Sequence, residues 1–159
     1  MGRKIAVMSA RTRWPDVVIS YTREDKAAAH NLKRGFATVE IDAWLDSDGL
    51  LSGDRWQAKI RQLISNCVLF IPLISKHTEA RASGFFRKEW VWAEQRSFEI
   101  AQGVPFIVPV VIDTTQIECA WIPDVFAECQ SCKLPGGVPT GKFLGTIRKL
   151  VRESPLREH

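Results

Sequence analysis

Val68-Leu69-Phe70-Ile71-Pro72-Leu73-Ile74 runs seven residues without a polar side chain. A strand with one wet face alternates. An unbroken apolar run therefore reads as a strand covered on both faces, as in parallel sheets packed between helices. Upstream, Asp54 is placed to cap a helix whose Trp56, Ile60, Leu63 and Ile64 share one face. Before it come the loop 46–53 and a short strand, Ile41 to Leu45. Ala28, Leu32 and Phe36 recur at helical spacing within residues 24–36, and Asp16-Val17-Val18-Ile19-Ser20-Tyr21 makes the first core strand. Downstream, a polar loop leads to a helix marked by Phe86, Trp90 and Ala93 that runs to about Ala101. Gly103 ends it, and Phe106 to Ile112 reads as another buried strand. A weaker helix over 116–128 is interrupted by Pro123, and Lys133-Leu134 offers a short fifth strand. Phe143, Leu144, Ile147, Leu150 and Val151 give a final amphipathic helix.

Strands and helices thus alternate five times, which implies right-handed crossovers and helices on both faces of a parallel sheet. The expectation is a flavodoxin-like three-layer α/β fold, with a five-stranded parallel sheet in the order 2-1-3-4-5. In that order the chain reverses between strands one and three, and a ligand crevice opens at their carboxyl ends. Ser20 to Asp25 and Ser75 to Gly84 line it, and the loop after strand two lies nearest.

The chain has 159 residues, of which 45% are hydrophobic, and carries a net charge of +4. That is one domain with a real core; a chain of this size hides about 70% of its unfolded surface. Residues 1–15 read as a basic extension, 16–153 as the domain and 154–159 as a tail. No run of eighteen apolar residues exists, so no transmembrane helix is expected. Ile5 to Met8 is too short for a signal-peptide core, and the chain reads as cytoplasmic. Arg3, Lys4, Arg11 and Arg13 cluster in the extension, but elsewhere basic and acidic residues interleave. This argues against nucleic acid as a partner.

Several motifs fail on chemistry. Gly136-Gly137-Val138-Pro139-Thr140-Gly141-Lys142 looks like a phosphate loop, yet Phe143 stands where Ser or Thr should hold magnesium. Asp46-Ser47-Asp48 begins like a calcium loop, but Leu50, Leu51 and Gln57 occupy places that need ligands or glycine. A phosphorylation receiver needs an acceptor Asp at the end of strand three, where the sequence reads Pro72-Leu73-Ile74-Ser75. Cys129 and Cys132 form a lone C-x-x-C without partner ligands, and Cys67 reads as a buried apolar residue. No metal site is expected.

Glu89 survives these exclusions. It lies early in the helix after strand three, near the switch-point crevice, with Phe85 one turn before it. A glutamate there can also serve only to complement the helix dipole.

Four segments in order carry a resemblance. Asp16 to Tyr21 resembles the first signature box of Toll/interleukin-1 receptor (TIR) domains. Asp42-Ala43-Trp44-Leu45-Asp46, the loop to Gly53 and Trp56 resemble the second strand and the BB loop. Val68 to Ser75 is similar to the third strand. Gly84-Phe85-Phe86-Arg87-Lys88-Glu89-Trp90 resembles the segment carrying the glutamate of bacterial and axonal TIR enzymes. The similarity runs from about Asp16 to Val151 and is greater to the bacterial branch.

The resemblance implies cleavage of NAD⁺ at its nicotinamide–ribose bond by an NAD⁺ hydrolase or cyclase. NAD⁺ is then substrate, and no cofactor is implied. Glu89 matches the catalytic glutamate, and Phe85 matches a position that is often Trp. Ser20, Tyr21, Arg23, Phe85, Trp44 and Asp46 are the expected substrate-binding residues, with Arg23 suited to the pyrophosphate. Asp48, Gly49, Leu50, Leu51 and Gly53 form the expected assembly loop, with two apolar residues at its tip. The implied partners are other TIR domains and an upstream sensor domain or protein, in bacterial immune signalling. The alternatives are a non-catalytic TIR–TIR module and a virulence factor that imitates host TIR adaptors.

Overall fold

The computed structural model describes residues 14–45 and 54–157. Its parallel strands are β1 (Val17–Ser20), β2 (Ala43–Leu45), β3 (Leu69–Ile74), β4 (Val110–Val111) and β5 (Cys132–Lys133). They form one sheet in the order β2-β1-β3-β4-β5, as the alternation of elements implied. The α-helices among the described residues are α1 (Lys26–Thr38), α2 (Asp54–Asn66), α3 (Lys76–Ala80), α4 (Phe85–Ser97), α5 (Asp124–Glu128) and α6 (Gly141–Glu153).

Successive strand residues point to opposite faces, and this period sorts the core into two layers. Val17, Ile19, Leu69, Ile71 and Leu73 face α1 and α6, where they meet Leu32, Phe36, Phe143 and Ile147. Val18, Phe70 and Ile74 face the other side and meet Ile60 and Ile64 of α2, Phe86 and Trp90 of α4, and Phe126 of α5. The helices with clean apolar stripes therefore cover both faces of a central β3 that is buried along its whole length.

Helix α4, expected to run to about Ala101, ends at Ser97, and three elements differ in kind from the sequence reading. The strand expected over 106–112 is a two-residue ladder, Val110–Val111, plus an isolated bridge between Ile107 and Phe70. Pairing lapses between the bridge at Ile107 and the ladder at Val110, where Pro109 has no N–H to give, so the segment is buried without being continuously paired. The helix expected over 116–128 is a 3₁₀ turn, Ile117–Cys119, followed by α5, with Pro123 at its N-cap. The loop after β3 contains α3, nucleated by Ser75. The Ser75 hydroxyl accepts from the N–H groups of His77 and Thr78, while the Thr78 hydroxyl accepts from the Ser75 N–H.

The segment that mimics a phosphate loop is a turn against α1. Gly137 has φ 74°, and a Cβ there would lie 2.2 Å from the Ala28 carbonyl oxygen, so only glycine fits. Beyond α6, Ser154 is buried and accepts from the Leu156 N–H. No helix among the described residues is long and apolar enough to cross a membrane.

Candidate active site

The β1–β3 ladder ends on the rung Ser20↔Pro72, after which β3 pairs with β4. Pro72 cannot donate to a further rung. The carboxyl ends of β1 and β3 therefore part where the strand order reverses, and the loops 21–25 and 75–84 form the two lips.

Ser20 follows Val18 on the face of β1 that α4 covers, by the period of two. The buried residues of α4 are Phe86, Glu89, Trp90 and Ala93, spaced i, i+3, i+4 and i+7. One carboxylate thus stands on a core stripe. Phe86 and Trp90 meet edge to face at 5.0 Å, and Trp90 packs on Phe126 at 5.4 Å, which sets the rotation of α4. Glu89 is then carried to the end of β1, 3% exposed, where its Oε1 accepts from the Ser20 hydroxyl at 2.6 Å. The indole Nε1–H of Trp90 donates to the same Ser20 oxygen at 3.2 Å. Ser20 is itself buried.

A second polar cluster, missed in the sequence, ties the lips together. Asp25 is buried, and its Oδ2 accepts from the hydroxyls of Ser75 at 2.5 Å and Thr22 at 2.8 Å. Its Oδ1 lies 2.8 Å from Nδ1 of the half-exposed His77. Arg81 makes a parallel tie to Glu24 at 2.6 Å. That hydrogen bond holds the Glu24 carboxyl below its usual range. The sequence signals were the spacings Thr22-x-x-Asp25, a local hydroxyl-to-carboxylate bond, and Ser75-x-x-Thr78, a hydroxyl cap.

Arg87 fastens the start of α4. Its Nη2 donates to the carbonyls of Thr78 at 2.7 Å and Arg81 at 3.0 Å, and its Nη1 donates to that of Trp121. The guanidinium also lies over Phe86 and Trp90 at 4.7 and 5.0 Å. Burial draws its pKa below the usual arginine value.

The other sequence candidates scatter around this centre. Tyr21 is half-buried against the α1–α6 core layer, and Arg23 is exposed on the 3₁₀ turn Arg23–Asp25. Trp44 is half-buried and meets Trp56 at 5.8 Å. Phe85 is half-buried with its ring edge-on to Trp92 at 5.9 Å, on the flank of the stripe that holds Glu89. Asp46, Asp48, Gly49, Leu50, Leu51 and Gly53 lie outside the described residues.

A cavity of about 820 Å³ lies at the β5 edge of the sheet, two strands from the switch point, beneath Phe143, Ile147 and Leu150 of α6. Cys129 and Cys132 line it, and burial raises both thiols. Such thiols stay protonated and act as apolar wall. The buried carboxylates and hydroxyls converge instead at the crevice.

Comparison with known proteins agrees with this architecture. The chain resembles the TIR domains of the activated Roq1 resistosome that directly recognises the pathogen effector XopQ, with 19% identity and a TM-score of 0.50. That match covers 62% of this chain and 59% of the other, so this chain spans less than two thirds of it. It also resembles the TIR domain of the Toll-related receptor TRR-2 from the lower metazoan Hydra magnipapillata, with 15% identity and a TM-score of 0.54. There the match covers 87% of this chain and 99% of the other. At these identities the likeness is one of fold. No curated protein sequence matches significantly. The model of the TIR domain family matches residues 17–142, from the first residue of β1 into the first turn of α6. The chain belongs to the TIR domain family.

Proposed function

We propose that this TIR domain cleaves NAD⁺ at the bond between nicotinamide and ribose, with Glu89 as the catalytic residue. The observation that carries the reading is the placement of Glu89, a buried carboxylate on a core stripe, held at the carboxyl end of β1 by Ser20. When the C1′–N bond breaks, its electron pair leaves with nicotinamide, which becomes neutral. No strong general acid is needed. The positive charge passes to the ribose, and a carboxylate in a low-dielectric site stabilises such an oxocarbenium-like centre. Water then adds to C1′ and gives up a proton, yielding ADP-ribose. Alternatively, a nucleophilic atom of the same molecule closes a ring and yields a cyclic product.

Arg23, exposed on the β1 lip, serves the pyrophosphate, and Phe85 flanks the ribose or the nicotinamide ring. Tyr21, Trp44 and Asp46 complete the substrate wall. Glu89 is 3% exposed, so the lips must part before ribose reaches it. This suits an enzyme completed by self-assembly through the loop containing Asp48, Gly49, Leu50, Leu51 and Gly53. A sensor domain or partner could then control it in cytoplasmic immune signalling of the bacterial type. Nicotinamide release from NAD⁺ at high protein concentration, compared between the wild type and Glu89→Ala, tests the reading. Equal turnover by a folded variant removes Glu89 from the mechanism.

A second reading, a TIR–TIR module without catalysis or an imitator of host adaptors, is favoured by exposed apolar side chains. Phe98 is 70% and Trp121 59% exposed. The Roq1 TIR domains belong to an assembled resistosome. Leu50→Asp is expected to abolish self-association in sedimentation while leaving the circular dichroism of the fold unchanged. Unaltered sedimentation removes the loop as the contact.

A further inference from the structure

We propose that Ser20 and Trp90 are positioning residues for Glu89, acting as a two-donor relay from the indole N–H through the hydroxyl to the carboxylate. The inference rests on the reading of Glu89 given above. It assigns Ser20 to the carboxylate instead of to the substrate, and gives a polar task to a tryptophan that otherwise counts as core.

The chemistry of the three groups fixes the direction. An indole nitrogen only donates, whereas a serine hydroxyl has one proton and two lone pairs. The Trp90 N–H, 3.2 Å away, therefore occupies a lone pair of Ser20 Oγ. The Ser20 proton is then directed to Glu89 Oε1 at 2.6 Å, within the range of an O–H···O hydrogen bond. Each donor polarises the next, and all three side chains are buried, where such chains are strengthened and misaligned groups are costly.

Neighbours in sequence reinforce the geometry. Glu89 and Trp90 are consecutive on α4, yet both converge on one residue of β1. The position of the Trp90 ring is over-determined by Phe86, Phe126 and the Arg87 guanidinium. A rigid, packed ring thus aims one N–H, and the hydroxyl transmits that aim to the carboxylate. A reacting charge needs its stabilising group fixed before it forms, and a displacement of about 1 Å can cost about 100-fold in rate.

The relay is tested with Ser20→Ala, Trp90→Phe and Glu89→Gln, and with Ser20→Ala combined in turn with each of the other two, in two measurements. In NAD⁺ cleavage, Ser20→Ala is expected to lower kcat about 30-fold with KM within about twofold. Trp90→Phe, which keeps a ring and loses the N–H, lowers kcat by about fivefold. In the Ser20→Ala background it costs nothing more, because Trp90 acts only through the hydroxyl. Independent multiplication of the two losses, or an unchanged kcat in Ser20→Ala, overturns the proposal.

The second measurement needs no activity. The ¹H–¹⁵N resonance of the Trp90 indole, assigned by its loss in Trp90→Phe, is expected to move on Glu89→Gln. It should not move on Glu89→Gln when Ser20 is already alanine. An indole resonance indifferent to Ser20→Ala, or shifted equally by Glu89→Gln in both backgrounds, overturns the relay. If the wild type releases no nicotinamide, NAD⁺ cleavage fails as the function, and the relay stands or falls on the indole resonance.

Discussion

Removing the Asp25 carboxylate probes the knot that joins the lips of the crevice. In Asp25→Ala the hydroxyls of Ser75 and Thr22, 0% and 3% exposed, lose an ionised acceptor, and His77 loses its partner. Hydrogen bonds to charged groups contribute about 1.5–3 kcal/mol each, and a buried donor left unsatisfied costs about 1–3 kcal/mol. The half-exposed imidazole returns to water at little cost. The hydroxyls can turn toward nearby carbonyls, and the variant no longer buries a charge; both effects reduce the loss. Two affected hydroxyls then give a net destabilisation of about 3 kcal/mol, a large share of the ~5–15 kcal/mol that holds a domain together. With a urea slope of about 2 kcal/mol per molar, the unfolding midpoint falls by about 1.5 M. Tryptophan fluorescence in urea reads this directly. Asp25→Asn retains one acceptor oxygen and should lose about half as much. Amide hydrogen exchange should quicken first in α3, whose Ser75 cap is bonded to Asp25. A midpoint within about 0.3 M of wild type would refute the idea that this carboxylate ties the lips.

Arg87→Ala strips partners from the carbonyls of Thr78, Arg81 and Trp121 and removes the cation over Phe86 and Trp90. A loss of about 2–3 kcal/mol is expected in the same urea assay. Arg87→Lys should recover less than half, because a point charge cannot reproduce the planar fork. Cys67 gives a pH signature. It is fully buried, and burial pushes its thiol up to about 12. The unfolded thiol ionises near pH ~8.5, so between that value and about 12 the folded state holds a proton that the unfolded state has released. Stability therefore falls with rising pH across this window, by up to ~1.4 kcal/mol per pH unit from this group, and is unaffected by it below the window. Cys67→Ala should flatten the alkaline limb of a stability–pH curve. In the native wild type a thiol reagent should label Cys119, which is exposed, and leave Cys67 untouched.

Elements that carry their own hydrophobic signal were legible in the sequence, and elements held by distant partners were not. β3 was readable because seven apolar residues in a row admit few other fates, and α6 because its stripe of Phe143, Ile147 and Val151 is complete. The paired strand is shorter than the apolar run 106–112 because apolarity reports burial, whereas pairing also needs the N–H group that Pro109 lacks. α3, Lys-His-Thr-Glu-Ala, has no apolar stripe and depends on the Ser75 cap. In the site, Glu89 was legible as an acid early in a helix beside the switch point. Its membership of the buried Phe86–Trp90 stripe was present in the spacing but not drawn from it. The Asp25 knot joins residues fifty and fifty-two positions apart, a juxtaposition that only the β1–β3 pairing creates. The polar use of Trp90 was hidden for the opposite reason, since its ring satisfied every expectation of a core residue.

The most direct measurement is nicotinamide release from NAD⁺ by concentrated protein, made in parallel on the wild type and Glu89→Gln with thermal unfolding as the control for folding. Steady release by the wild type, reduced at least about 100-fold in a folded Glu89→Gln, is the result required by a carboxylate that stabilises the ribosyl cation. Release at equal rates from both proteins, or none from a folded and assembled wild type, would contradict it.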